Sequence, residues 1–166
     1  NNNFITDDTG ADRNYFPRES SSISMWMKES NWSNTTFLFD YTNGGDRDGK
    51  MWLSTINPSS ELRWRIKTGT TSTVDNVNLM TNNNWHHLVM TRDESGNPAG
   101  GGIVKLYVDG VLTSVDYGTP TGALDIPGDL IFGRNQDNQG GVDGFGKFTG
   151  EFGPIRIFAQ ELTQSE

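Results

Sequence analysis

The chain contains no cysteine, which excludes a disulfide frame, a thiolate metal centre and a cysteine nucleophile. Its apolar runs reach only a few residues, far short of the roughly 18 or more that a membrane-spanning helix needs. Basic side chains are the minority: 13 Lys and Arg stand against 21 Asp and Glu, for a formal net charge of −8. A surface of that sign repels phosphate backbones and anionic lipid, so neither nucleic acid nor membrane insertion is expected. The same acidity suits cation binding, and equally plain solubility.

Catalytic signatures are also missing. No G-x-S-x-G elbow frames a serine nucleophile. The glycine run Gly100–Gly102 lacks a following Lys-Ser/Thr pair and a helix, so it is not a phosphate loop. Retaining glycosidases need two carboxyls about 5 Å apart, which alternating acids on one strand would supply. This chain has no such run, and Glu151 and Glu161 stand alone near its last strand. His86 and His87 are neighbours in a strand pattern, so they point to opposite faces and cannot ligate one metal together. A structural role is expected for each, and enzymatic activity is not.

What the chain does have is a β pattern. Ile23, Met25 and Met27 alternate with Ser24, Trp26 and Lys28, the period of a strand with one buried face. Residues Thr36–Tyr41, Lys50–Ile56, Glu61–Lys67, His86–Thr91, Leu130–Gly133 and Phe148–Phe158 read as further strands. The run I-V-K-L-Y-V, then Asp109-Gly110, then V-L-T-S-V, reads as a hairpin with a type I′ turn. No convincing helix or internal repeat is present. About nine to eleven short strands at roughly ten-residue spacing predict an all-β protein, an antiparallel β-sandwich of jelly-roll type. At 166 residues the expectation is one domain spanning 1–166, burying about 70% of its unfolded surface. Starting at Asn1 without Met or a signal peptide, it reads as a domain excised from a larger protein, with neighbouring domains as partners.

The densest chemistry lies after Gly133. Asn135, Gln136, Asp137, Asn138, Gln139 and Asp143 crowd a glycine-rich loop between two strands. Carboxylates and amides held on a loop between rigid strands are what a hard cation such as Ca²⁺ takes. Asp and Asn also make ordinary turns, and the glycines ordinary loops.

The order N-W-H-H-L-V-M-T-R-D, K-L-Y-V-D-G, L-I-F-G and F-T-G-E-F-G-P-I-R-I-F-A-Q-E-L-T resembles laminin-G-like and concanavalin-A-like jelly-roll domains. Within that superfamily it looks most similar to the pentraxins, which carry a W-H-H motif, a V-D-G hairpin and a G-x-E-Q-D-x-x-G-G loop before F-x-G-E-I-G. The resemblance covers roughly Ile23 to Leu162. It implies calcium ligands at Asn135, Gln136 (through its main-chain carbonyl) and Asp137. A second arm falls near Arg47-Asp48, so Asp48 or Asp46 supplies it, and Asp143 matches a further acidic position. The family's first carboxylate is an amide here, and its later Gln ligand has no counterpart, so one calcium ion is expected rather than two. Ser24 and Val89 stand where the family links two strands through cysteines. Arg92 replaces the Trp that ends the family signature, which points to a bacterial-style relative.

The resemblance therefore implies a noncatalytic, calcium-dependent carbohydrate-binding domain, the ligand-binding module of an extracellular or cell-surface adhesin. Vicinal sugar hydroxyls would chelate the ion, and aromatic side chains near the loops would stack on the sugar. Phe145, inside the metal loop, is the first candidate for that contact, with Asn138 beside it; Trp52, Tyr41 and Trp32 follow. Trp26, Trp64 and Trp85 read as packing residues. Three other functions fit the same residues: a protein- or peptide-binding laminin-G-like module, a structural spacer stiffened by calcium, and a degenerate hydrolase.

Overall fold

The structure, a computed structural model, describes residues 20–30, 36–41, 50–56, 61–68, 70–75, 83–96, 102–119, 130–134 and 147–166. Ten strands are described: β1 (Ser21–Glu29), β2 (Phe37–Tyr41), β3 (Lys50–Ile56), β4 (Glu61–Thr68), β5 (Thr70–Asp75), β6 (His86–Asp93), β7 (Gly102–Val108), β8 (Val111–Thr119), β9 (Leu130–Phe132) and β10 (Gly150–Phe158). They form two five-stranded sheets, ordered β10-β1-β6-β7-β8 and β5-β4-β3-β2-β9. Every described pairing is antiparallel. This is the sandwich that the alternation predicts.

Alternation decides which side chains enter the core. Ile23, Met25 and Met27 of β1, Leu88 and Met90 of β6, and Val104, Leu106 and Val108 of β7 are all at most 2% exposed. Phe39, Tyr41, Leu62, Trp64 and Phe132 join them from the second sheet, with Phe148 beyond it. Burying one such side chain contributes about 1.5–3 kcal/mol, so no single position holds the sandwich alone. Ser24 lies directly opposite Val89 in the β1–β6 ladder. The two positions that replace the family's cysteine pair are therefore true cross-strand neighbours.

The Asp109-Gly110 turn forms as expected, both residues having positive φ (51° and 79°), as a type I′ turn requires. Asp109 adds a tie of its own. Its Oδ1 accepts the His87 N–H at 2.8 Å, and its Oδ2 lies 2.8 Å from Nδ1 of the buried His86.

Strand β5 is an addition to the sequence reading. T-T-S-T-V-D carries β-branched residues but no apolar alternation, so the period test misses it. It pairs with β4 from Thr68↔Thr70 to Arg63↔Asp75.

Candidate functional site

The first and last strands meet in the β1–β10 ladder, and their pairing is interrupted. Met25 opposes Ile155, but Met27 opposes Phe152, so Gly153 and Pro154 together face Trp26. Proline has no N–H to give a ladder, which confines it to edges and bulges; β10 is the edge of its sheet among the described strands, and this is its bulge.

The bulge sets the local surface. A Cβ on Gly153 would lie 2.9 Å from the Trp26 Cβ and 3.5 Å from Cζ3 of Trp85. The glycine thus leaves room for an indole on either side. Both indoles are half-open to solvent, Trp26 at 42% and Trp85 at 43%. The Lys28 ammonium sits 5.8 Å from the Trp85 ring and forms a 2.6 Å ion pair with Glu151. On the next strand the His87 imidazole stacks on Trp26, ring centres 4.9 Å apart, while its Nε2 lies 2.8 Å from Ser24 Oγ. Burial holds the His87 pKa below 6.5; Asp109 opposes that shift and Arg156 adds to it. The imidazole is therefore neutral at pH 7.

Glu151 and Glu161, the two acids near the last strand, are each engaged by a lysine: Lys28–Glu151 and Lys105–Glu161, both at 2.6 Å. The histidines point as the strand geometry requires. His86 is 7% exposed on the core side, and His87 lies on the outer face against Trp26.

Tyr41 is a correction. Strand alternation puts it on the same pleat as Phe39, and it is 2% exposed within the core cluster, so it packs and cannot stack on a sugar. Trp52 lies in β3, in register between Asp40 and Arg65, with its side chain outside the described residues. Asp46, Asp48, Asn135, Gln136, Asp137, Asn138, Asp143, Phe145 and Trp32 also lie outside them. Among the described residues no three His, Asp or Glu side chains gather as a metal site.

The described residues do fix where the metal-loop candidates are anchored. Phe148 N–H donates to Gly133 C=O at 2.9 Å, and Gly133 N–H donates to Leu38 C=O at 3.0 Å. Gly133 and Phe148, on either side of the segment 135–146, are therefore hydrogen-bonded neighbours. Beside this pair lies Glu29, 0% exposed, which accepts the Thr36 hydroxyl at 3.1 Å. Burial raises its pKa to about 7, against the lowering hydrogen bonds from Thr36 and the Thr149 backbone. The antiparallel β2–β9 pairing, Tyr41↔Leu130 to Phe39↔Phe132, puts the roots of the two proposed ligand loops at opposite ends of that ladder. An all-oxygen donor set of carboxylates and amides fits calcium.

The sequence reading assigned no ligand role to Trp26 or Trp85. The signal was present: Trp26 shares its polar pleat with Ser24 and Lys28, and Gly153-Pro154 inside a strand marks a bulge.

A family model, Laminin_G_3, described as the concanavalin A-like lectin/glucanases superfamily, matches residues 6–166. Solved structures share the fold at low identity. A carbohydrate-binding module (CBM40) of the Ruminococcus gnavus IT-sialidase, bound to α2,3-sialyllactose, superposes with a TM-score of 0.71 at 15% identity, covering 89% of this chain and 79% of that one. The heptameric SAP-like pentraxin of Limulus polyphemus gives 0.66 at 15%, covering 88% and 66%. Mouse laminin α1 domains LG4-5 give 0.66 at 15%, covering 92% and 39%. The chain thus spans just under two thirds of the pentraxin and well under half of the laminin fragment. No curated protein is significantly similar to it in sequence.

Proposed function

We propose that this chain, which belongs to the concanavalin A-like lectin/glucanases superfamily, is a noncatalytic carbohydrate-binding domain. The observation that carries the reading is the pair of half-open indoles, Trp26 and Trp85, held apart by Gly153 on a rigid sheet. Exposed indoles on a fixed scaffold bind the apolar faces of pyranose rings at small entropic cost. Carbohydrate-binding relatives of the same fold, one of them bound to sialyllactose, support it.

Calcium belongs to this reading through the loop side chains. Asp46, Asp48, Asn135, Asp137 and the Gln136 carbonyl would hold the ion, with Asp143 assisting and Phe145 and Asn138 beside the ligand. Bound calcium would supply open coordination positions for vicinal hydroxyls. The context we propose is extracellular or cell-surface, as the ligand-binding module of an adhesin alongside other domains of its parent chain.

A glycan array run with calcium and again with EDTA tests this, with melting curves under both conditions. Calcium-dependent binding to a defined sugar is expected. A melting shift without any glycan binding would leave the calcium-stiffened spacer or a protein-binding module instead. No shift would reject the metal site.

A further inference from the structure

The outer face of the β10-β1-β6 sheet carries more than the indole pair. A cavity of about 330 Å³ opens beside Trp26, bounded by Ser24, His87, Tyr107, Arg156 and the turn Thr163–Glu166. The C-terminal segment makes one of its walls. It is fastened there by Leu162 N–H to Ser22 Oγ at 2.9 Å, Ser22 Oγ–H to Gln160 C=O at 2.8 Å and Gln164 Nε2–H to Gly110 C=O at 3.0 Å. The result is a concave recess of mixed lining, with Val89, Phe158 and Leu162 set among the polar groups of Ser24, His87, Gln164 and Arg156, a form that can take a small ligand.

The charges of this face differ in one respect. Lys28 and Lys105 each hold a carboxylate at 2.6 Å. Arg156, opposite Ser24 in the β1–β10 ladder, has no ion pair among the described residues and lines the cavity. In a chain of net charge −8, a guanidinium at a recess with no ion pair among the described residues is a place for a carboxylate, which the fork of Arg binds bidentately. The cavity's other charged residue, Glu166, has its carboxylate held by the Thr163 N–H and hydroxyl, both at 2.9 Å. Ser24 and His87 add hydrogen-bonding groups, and Trp26 an exposed aromatic surface.

We infer that this cavity binds one sugar residue bearing a carboxylate, with Arg156 holding the carboxylate and Trp26 the apolar face of the ring. The inference rests on the carbohydrate reading above and adds the chemical class of the ligand and the residue that selects it. It is independent of calcium, because no proposed metal ligand lines the recess.

The test is titration with matched pairs: methyl glucuronoside against methyl glucoside, and N-acetylneuraminic acid against its methyl ester. Each is followed by two-dimensional NMR of the Trp26 indole and Arg156 Nε resonances, with EDTA present. One acid of the two is expected to bind more tightly than its neutral partner and to move both resonances. Which pair responds tells a hexuronate from a nine-carbon sugar acid. Arg156→Gln should weaken the acid about ten- to a hundredfold, the loss of a charged hydrogen-bonded contact. The neutral partner should be unaffected, and Arg156→Lys should recover part of the loss. Equal binding of acid and neutral sugars, or equal loss of both in Arg156→Gln, would overturn the acid selectivity while leaving a sugar site. Failure of every sugar, here and on the array, would instead reject the carbohydrate reading itself.

Discussion

Trp26 and His87 are direct partners across the β1–β6 ladder, and their rings lie stacked, 4.9 Å apart and within 21° of parallel. An aromatic pair of this kind contributes about 0.5–1.5 kcal/mol beyond the area it buries. It also holds the indole in one orientation, so that what remains exposed is a fixed surface.

His87 should titrate below 6.5, because burial disfavours its charged form. As pH falls through 6.5 the unfolded chain takes up the proton first, so stability declines there and levels off below the folded pKa. NMR titration of the imidazole checks this. In Trp26→Ala the pKa should rise towards 6.5 as the ring becomes solvated; a wild-type value at or above 6.5 would contradict the burial argument.

Glu29 works with the opposite sign. Its folded pKa of about 7 lies above the ordinary 4.5, so the folded state keeps its proton while the unfolded chain loses it. Stability from this group is complete below pH 4.5 and declines as pH rises to about 7. Glu29→Gln should therefore raise the melting temperature at pH 8, with a gain of at most about 3 kcal/mol, and change little at pH 4. Melting curves at the two pH values measure it, and an equal effect at both would reject the assignment.

The two glycines of β10 should respond differently to alanine. At Gly150 an added Cβ would run into the Lys28 carbonyl, a backbone atom that can yield only by breaking the β1–β10 ladder. Gly150→Ala should cost about 2 kcal/mol or more. At Gly153 the nearest atom is the Trp26 Cβ at 2.9 Å, so Gly153→Ala should cost less in denaturant melts. Its larger effect should be on glycan affinity, because it displaces the indoles.

Calcium should raise the melting temperature of the wild-type protein by mass action. Asp137→Ala should abolish that shift and any calcium-dependent glycan binding, while the far-ultraviolet β spectrum stays unchanged. Isothermal calorimetry with calcium provides the direct measurement; retained affinity in this variant would remove Asp137 from the ligand set.

Much of the sandwich was legible from local pattern. The β1 alternation, the extent of β3 and the Asp109-Gly110 turn depend on side-chain period and turn chemistry, which neighbouring residues fix by themselves. Strand β5 was not legible, because a threonine-rich strand gains its place from pairing with β4 rather than from apolar alternation. Tyr41 was misread for a related reason: proximity to a loop in sequence says nothing of the pleat on which a ring lies.

The sequence by itself determined an acidic, cysteine-free β protein, the strand faces that form its core, and the run of oxygen-bearing side chains from Asn135 to Asp143. Those properties follow from composition and from periods of two residues. Only the tertiary structure decided that Trp26, Trp85, His87 and Arg156 share one surface. They come from three segments separated by up to 130 positions, since Trp26 and Arg156 meet only when β1 pairs with β10. The bulge at Gly153-Pro154 then opens that surface, because the ladder must absorb one extra residue opposite Trp26.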